Sequence, residues 1–239
     1  MNFMRYLLAF LLSFLTSQQI LAQSRVLVFC ETEGFVHETI DVGTQALQQI
    51  GREEGFETTV SRDSAFFTEN DLDPFDLIIF FHTTGNVLNS QEESRFQNYI
   101  ENGGNFFGIH SAASTEYSWS WYGDLVGAYF KGHPEVQKAV LNVEDPQNLS
   151  VKHLQPTWER VDEWYNFKEM RPGLNVILTI DERTYKGGEH GDFHPVAWYQ
   201  NLPSGGKSVY TGLGHTLESF SDPDFLAHLK GCIRFALLD

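Results

Sequence analysis

Nine histidines are spread over 239 residues, and several stand where chemistry needs them. His37 ends the stretch Glu31-Thr-Glu-Gly-Phe-Val-His37, His82 follows Phe75–Phe81, His110 closes Gly108-Ile-His110-Ser111, and His215 closes Gly212-Leu-Gly214-His215. Each follows a segment that reads as a β-strand, so four imidazoles fall at or just past a strand's carboxyl end. In open α/β sheets that edge is where loops from neighbouring strands converge on a ligand. A fifth, His133, lies in the Gly-rich stretch Gly127-Ala-Tyr-Phe-Lys-Gly-His-Pro134, which reads as a loop. The irregular stretch Asp162-Glu163-Trp164-Tyr165 sets two carboxylates beside two aromatic rings. Imidazoles and carboxylates held together transfer protons near neutral pH, because burial and neighbouring charge shift their pKa values.

His37, His110, His133, Glu163 and His215 are therefore the expected catalytic set. Thr84, Ser111 and Asp162 would give a substrate polar contacts. Trp164, Tyr165 and Trp198, with Trp119 and Trp121 in reserve, would offer flat apolar faces with polar edges, suited to a sugar ring. His82 reads as a hydrogen-bonded structural histidine. His153, His190 and His228 read as surface or loop residues. A second chemistry uses the same atoms: His110, His133 and His215 with Glu163 make an N/O donor set for zinc or another divalent ion. No local signature such as H-E-x-x-H supports it, since every ligand would come from a different loop. Proton transfer, metal assistance and non-catalytic binding all remain open on the residues alone.

The elements that must position these groups follow from periodicity. Arg25–Cys30 and Phe75–Phe81 are apolar runs suited to strands buried on both faces. Phe56–Val60 and Asn105–Ile109 complete a first set. Helices are expected from His37 to Glu54, closed by Gly55, and from an N-cap at Ser90, boxed with Glu93, to Asn102. This alternation predicts a doubly wound, mostly parallel sheet with helices on both faces. Further strands are expected at Val136–Val143, Asn175–Ile180, Pro195–Tyr199 and Lys207–Leu213. A closing helix, Phe225–Leu237, would place Leu226, Leu229, Ile233 and Leu237 on its buried face.

The first 23 residues read differently. A positive start with Arg5, an apolar run Tyr6–Leu15 interrupted by Ser13, and Leu21-Ala22-Gln23 make the layout of a secretory signal peptide. The run is about half the roughly 20 residues that span a bilayer. Export to the periplasm or outside the cell is expected, with residues 24–239 as one domain and no stable membrane insertion. With 16 basic against 32 acidic residues, a net charge of −16, the chain is a poor partner for nucleic acid or anionic lipid. A neutral small molecule suits it better, and a homo-oligomer is compatible with the composition. Cys30 and Cys232 are too few for a disulfide framework and read as buried apolar residues.

Several of these pieces occur together in one family. Gly34-Phe-Val-His37, Gly103-Gly-Asn-Phe-Phe-Gly-Ile-His-Ser-Ala112, Gly127–Pro134, Asp162-Glu-Trp-Tyr165, Pro195-Val-Ala-Trp198 and Gly205–His215 appear in family order across nearly the whole chain after the leader. In these the chain resembles the ThuA-like (trehalose utilisation) family of the class I glutamine amidotransferase-like superfamily. The resemblance implies a flavodoxin-like sheet and a role in carbohydrate catabolism. The leading expectation is acid–base chemistry, as hydrolase, lyase or isomerase, on a disaccharide or keto-sugar. A metal-dependent sugar hydrolase and a non-catalytic carbohydrate-binding protein are the alternatives. Amidotransferases carry a Gly-x-Cys-x-Gly elbow after the matching strand. Here that position holds His110, followed by Ser111, so thioester chemistry lacks its nucleophile.

Overall fold

The structure, a computed structural model, describes residues 23–238. The expected leader lies outside them apart from its last residue, Gln23. The branched, apolar run Arg25–Phe29 forms β1. Its successive residues divide between two cores, Val26 and Val28 to one face and Leu27 and Phe29 to the other, as the two-residue period of a strand requires. Helix α1 (Ile40–Glu54) buries Ile40, Thr44, Leu47 and Ile50 at helical spacing and ends at Gly55, whose φ of 82° suits glycine. Then come β2 (Glu57–Ser61), the short α2 (Phe66–Glu69) and β3 (Leu77–Phe81), whose five residues are all buried.

Helix α3 (Ser90–Glu101) starts one residue earlier than its serine suggests. Asn89, in extended conformation, accepts from the N–H groups of Gln91 and Glu92, and Glu92 answers by accepting from Asn89 N–H. The capping box is therefore Asn89/Glu92 rather than Ser90/Glu93, since an asparagine oxygen caps as well as a hydroxyl.

After β4 (Asn105–Ile109) a 3₁₀ turn spans His110–Ser114, followed by α4 (Ser120–Val126). The Gly127–Pro134 stretch is not wholly loop. It contains β5 (Tyr129–Gly132), which pairs antiparallel with β8 (Asn166–Lys168) in a small second sheet. The remaining strands are β6 (Gln137–Val143), β7 (Thr157–Asp162), β9 (Asn175–Ile180), β10 (Pro195–Asn201) and β11 (Lys207–Thr211).

Among the described residues the main sheet has nine strands in the order β2-β1-β3-β4-β11-β10-β9-β6-β7. β2, β1, β3, β4 and β11 are parallel neighbours, and the later pairs are antiparallel. Following the pairings, β9 and β7 run with the parallel set, and only β10 and β6 are reversed. The sheet is the doubly wound, mostly parallel one expected, and the ends of β1, β3, β4, β11 and β7 point the same way. No helix of the described residues is long and apolar enough to cross a membrane.

The closing helix α5 (Pro223–Ala236) is capped by Asp222, which accepts from Asp224 N–H. Its buried face is Phe225, His228, Leu229, Cys232, Ile233 and Ala236, turned from the expected one so that Leu226 and Leu237 are only half-buried. His228 is thus no surface residue. It is fully buried, with Nδ1 3.0 Å from Ser150 O and Nε2 3.0 Å from Thr211 Oγ1. Cys30 and Cys232 are both buried and free, as expected.

Burial pushes the His228 imidazole down from 6.5 to about 3. Its folded value is below its unfolded value, so the unfolded chain binds the extra proton between those limits, and stability is lost there as the pH falls. Each such group contributes about 1.4 kcal/mol per pH unit. Urea unfolding of His228→Gln between pH 6 and 4 should show a pH dependence shallower than wild type by about one proton. An unchanged slope would show that His228 is not held neutral.

Candidate active site

The strand ends bring five histidines and a carboxylate into one cluster. His110 stands at the turn after β4 with a φ of 52°, a left-handed conformation costing a non-glycine residue roughly 1–2 kcal/mol. Three contacts hold it there. Its Nδ1 donates to Gly212 O at 2.8 Å, its carbonyl accepts from Tyr210 Oη at 2.8 Å, and its ring lies 4.3 Å from that of Tyr165. With Nδ1 committed to that carbonyl, Nε2 is the ring nitrogen presented to the cleft. His215 Nδ1 lies 3.2 Å from that Nε2. Glu163 Oε2 lies 3.4 Å from His110 Nε2 and 3.3 Å from His215 Nδ1. The three atoms form a nearly equilateral triangle.

The carboxylate is shared outward as well. Glu163 Oε1 is 3.1 Å from His133 Nδ1, which is also 3.0 Å from Pro134 O. Burial pushes the Glu163 carboxyl up, yet its hydrogen bond with His110 and the nearby His110, His215 and His133 charges outweigh this and hold it low. His37, on the loop after β1, closes the cluster with Nδ1 3.4 Å from Ser111 Oγ. Burial, then the neighbouring His110, His215 and His133, push its imidazole down to about 2. Burial likewise lowers His215, with His110 next in effect. Ligand atoms of His37, His110, Glu163 and His215 all lie within 4.8 Å of one another, an arrangement able to hold a metal ion.

His82 departs from expectation. It is fully buried, its φ is 53°, and neither ring nitrogen has a hydrogen-bond partner among the described residues. Its ring packs 4.5 Å from His37 and 5.1 Å from His110, beneath the cluster. Burial first, and then His110, keep it neutral. The expected structural hydrogen bond is not made among the described residues, where its nearest ring neighbours are Phe81 at 4.3 Å and His37 at 4.5 Å.

The expected substrate contacts divide. A cavity of about 320 Å³ is walled by His37, Ser111, His133, Glu163 and His215, with Thr84 and Tyr165 behind them. Thr84 lines it but is already committed, donating from Oγ1 to Phe35 O at 2.9 Å and accepting from Gly34 N–H. Trp164 and Trp198 are corrections. Both are about 1% exposed, and their Nε1 groups donate to Gln137 O and Val126 O, so they belong to the core. Trp119 and Trp121 stack on each other and meet the Phe96 ring edge-on, and neither lines the cavity.

Asp162 is also a correction, and an informative one. It is fully buried and outside the cavity wall. Its oxygens accept from the backbone N–H groups of Glu163 (3.0 Å), Gly214 (2.9 Å) and His215 (2.9 Å), and from Arg160 Nη2 (2.9 Å). Arg160 in turn donates to Ser219 Oγ and lies over the Trp158 and Phe225 rings. Asp162 thus fixes the backbone of two of the three triangle residues. The residues that sequence reasoning missed are His82, Phe35 and Phe130, the last two at the cavity mouth. Phe35's position between Gly34 and His37 was the available signal; Phe130 was hidden in a stretch read as loop.

Asp162→Asn takes the nearer carboxylate from the buried Arg160 guanidinium, leaving it Asp222 Oδ2 at 3.4 Å, and sets an amide against donor N–H groups, a loss of about 1–3 kcal/mol. Denaturant unfolding should show a destabilisation of that order, and His215 and Glu163 should lose their fixed spacing. A change below about 1 kcal/mol would contradict the role assigned to Asp162.

The comparisons with known proteins agree with this fold. A protein from Bacteroides uniformis described as ThuA-like superposes with a TM-score of 0.75 at 21% identity, covering 89% of this chain and 91% of its own. A ThuA-like protein from Parabacteroides merdae gives 0.75 at 19%, with 90% of each chain covered. A Thermoplasma acidophilum protein described as part of a GMP synthase gives 0.53 at 15%, covering 89% and 96%, which places the fold among class I glutamine amidotransferase-like folds. No curated protein matches the chain. The profile for trehalose utilisation, ThuA, matches residues 25–236, and the chain belongs to the ThuA family.

Proposed function

We propose that this chain is a metal-assisted enzyme of carbohydrate catabolism, with one divalent ion held by His110, Glu163 and His215. Family membership supports the carbohydrate-related role. The carrying observation for the metal is the triangle of Nε2, Nδ1 and Oε2 with edges of 3.2, 3.3 and 3.4 Å. Zinc bonds of about 2.0–2.2 Å in tetrahedral array give ligand separations of about 3.3–3.6 Å. The donor set of two imidazoles and a carboxylate is one that zinc uses with a fourth position open. The outer contacts suit ligands too. His110 gives its other ring N–H to a backbone carbonyl, which fixes the tautomer, and Asp162 orients the backbone of both partners.

A bound ion would polarise a substrate carbonyl or activate water. The chain's own groups do the rest. His133, 41% exposed as a side chain, stands at the mouth. With Nδ1–H held by Glu163 Oε1 and Pro134 O, its Nε2 is free to take or give a proton. His37 and His82, both buried and held neutral by that burial, leave the floor of the cleft uncharged. Glutamine hydrolysis is excluded by the thiols: Cys30 is buried and pushed up to about 11, and Cys232 is buried and raised further. A leader-like N-terminus supports export.

The test is a panel of trehalose, other disaccharides and their 3-keto derivatives, assayed with and without chelator, alongside elemental analysis. One equivalent of metal is expected, with chelation abolishing turnover and zinc restoring it. Glu163→Gln and His215→Ala should lose the metal, and His133→Ala should keep it while kcat falls about 10²–10⁴-fold. Turnover of a sugar that survives complete chelation would instead establish proton transfer by the histidine–carboxylate cluster alone.

A further inference from the structure

Two phenylalanines at the mouth of the cleft have no part in the chemistry above. Phe35 is 67% exposed, and single exposed apolar side chains are common. Its surroundings are not. The loop that carries it is tied to the loop after β3 by Glu33 N–H to Thr84 O (2.8 Å), Gly34 N–H to Thr84 Oγ1 (3.3 Å) and Thr84 Oγ1 to Phe35 O (2.9 Å). The two loops approach so closely that a Cβ on Gly85, whose φ is 82°, would meet Glu33 Cβ at 3.0 Å. Phe35 is therefore presented to solvent by a fixed backbone, with its ring 4.8 Å from His37. Phe130, on β5, is half-buried, its ring 4.3 Å from Tyr165 and 5.8 Å from His133. Both phenylalanines line the cavity that contains Glu163, His133 and His215.

A pyranose presents one flat face of C–H groups and a rim of hydroxyls. Its recognition needs an aromatic face beside hydrogen-bonding groups, and rigid aromatic side chains supply contact area at low entropic cost. At about 320 Å³ the cavity sits at the lower end of the roughly 300–1,000 Å³ found for small-molecule sites, which suits one ring better than two. We infer that Phe35 and Phe130 are the apolar faces of a subsite that seats a single pyranose ring against Glu163, His133 and His215. The remainder of any larger sugar then lies outside the mouth. Specificity is set at Phe35 and Phe130, and the buried tryptophans take no part. This rests on the carbohydrate reading given above.

The experiment titrates methyl α-D-glucopyranoside and its 3-keto derivative into the zinc-loaded full chain, following binding by calorimetry and ring contacts by saturation-transfer NMR. Wild type should bind at least one probe, with saturation at the C–H face. Phe35→Ala and Phe130→Ala should each weaken binding about 10-fold or more, Phe35→Trp should retain it, and metal content should be wild-type in all three. Phe35→Ala removes an exposed side chain, so its thermal unfolding should match wild type and keep the comparison interpretable if Phe130→Ala is unstable. Binding of a probe by wild type with an unchanged affinity in folded Phe35→Ala overturns the subsite. Failure of wild type to bind either probe overturns the carbohydrate reading itself, and the subsite with it.

Discussion

A carboxylate that meets no solvent organises this cleft. Asp162 gathers three backbone N–H groups and one guanidinium N–H, and those donors belong to β7, the turn after it and the turn after β11. An ionised carboxylate buried without partners is prohibitively costly, so Asp162 must keep these donors in the folded chain. The consequence is geometric. Glu163 is adjacent to Asp162 in the chain, and His215 is bonded to it through its amide. Their side chains are therefore delivered to a common point 3.3 Å apart, although about 50 residues separate them in sequence.

His110 reaches that point by a different route. By the resemblance drawn from the sequence it corresponds to the strand-to-turn position where class I amidotransferases carry a cysteine, and its backbone there is left-handed at φ 52°. In an amidotransferase such a turn thrusts a nucleophile out of the sheet. Here it directs an imidazole whose Nδ1 is occupied by Gly212 O and whose Nε2 faces a carboxylate and a second imidazole. Backbone strain of this kind persists where surrounding contacts over-determine it, and the Tyr210 and Tyr165 contacts do so. On the reading proposed above, the same scaffold feature would position a metal ligand in place of a covalent nucleophile.

Much of this was legible from the residues. Strand-end positions of His37, His110 and His215 follow from apolar runs with a strand's length, and a parallel sheet brings such ends together. Glu163 was recognisable because a carboxylate beside aromatics is unusual in an irregular stretch. What escaped depended on three dimensions. Trp164 and Trp198 look like sugar platforms in sequence, but their indole N–H groups find backbone carbonyls in the core. Asp162 looks like a second site carboxylate until its four donors are seen. His82 has no partner that spacing reveals, because its neighbours are the other imidazoles, each from a different loop. Phe130 was hidden because β5 pairs with β8, 34 residues on, and no local period announces a strand four residues long.

The central claim is that three strand-end atoms, His110 Nε2, Glu163 Oε2 and His215 Nδ1, converge to share one divalent ion. Anomalous diffraction at the zinc edge from crystals of the full-length protein, grown with one equivalent of zinc, tests it most directly. A single strong peak within about 2.0–2.2 Å of all three atoms is the predicted result. A map with no peak there, or with zinc only at other acidic or histidine side chains, would contradict it.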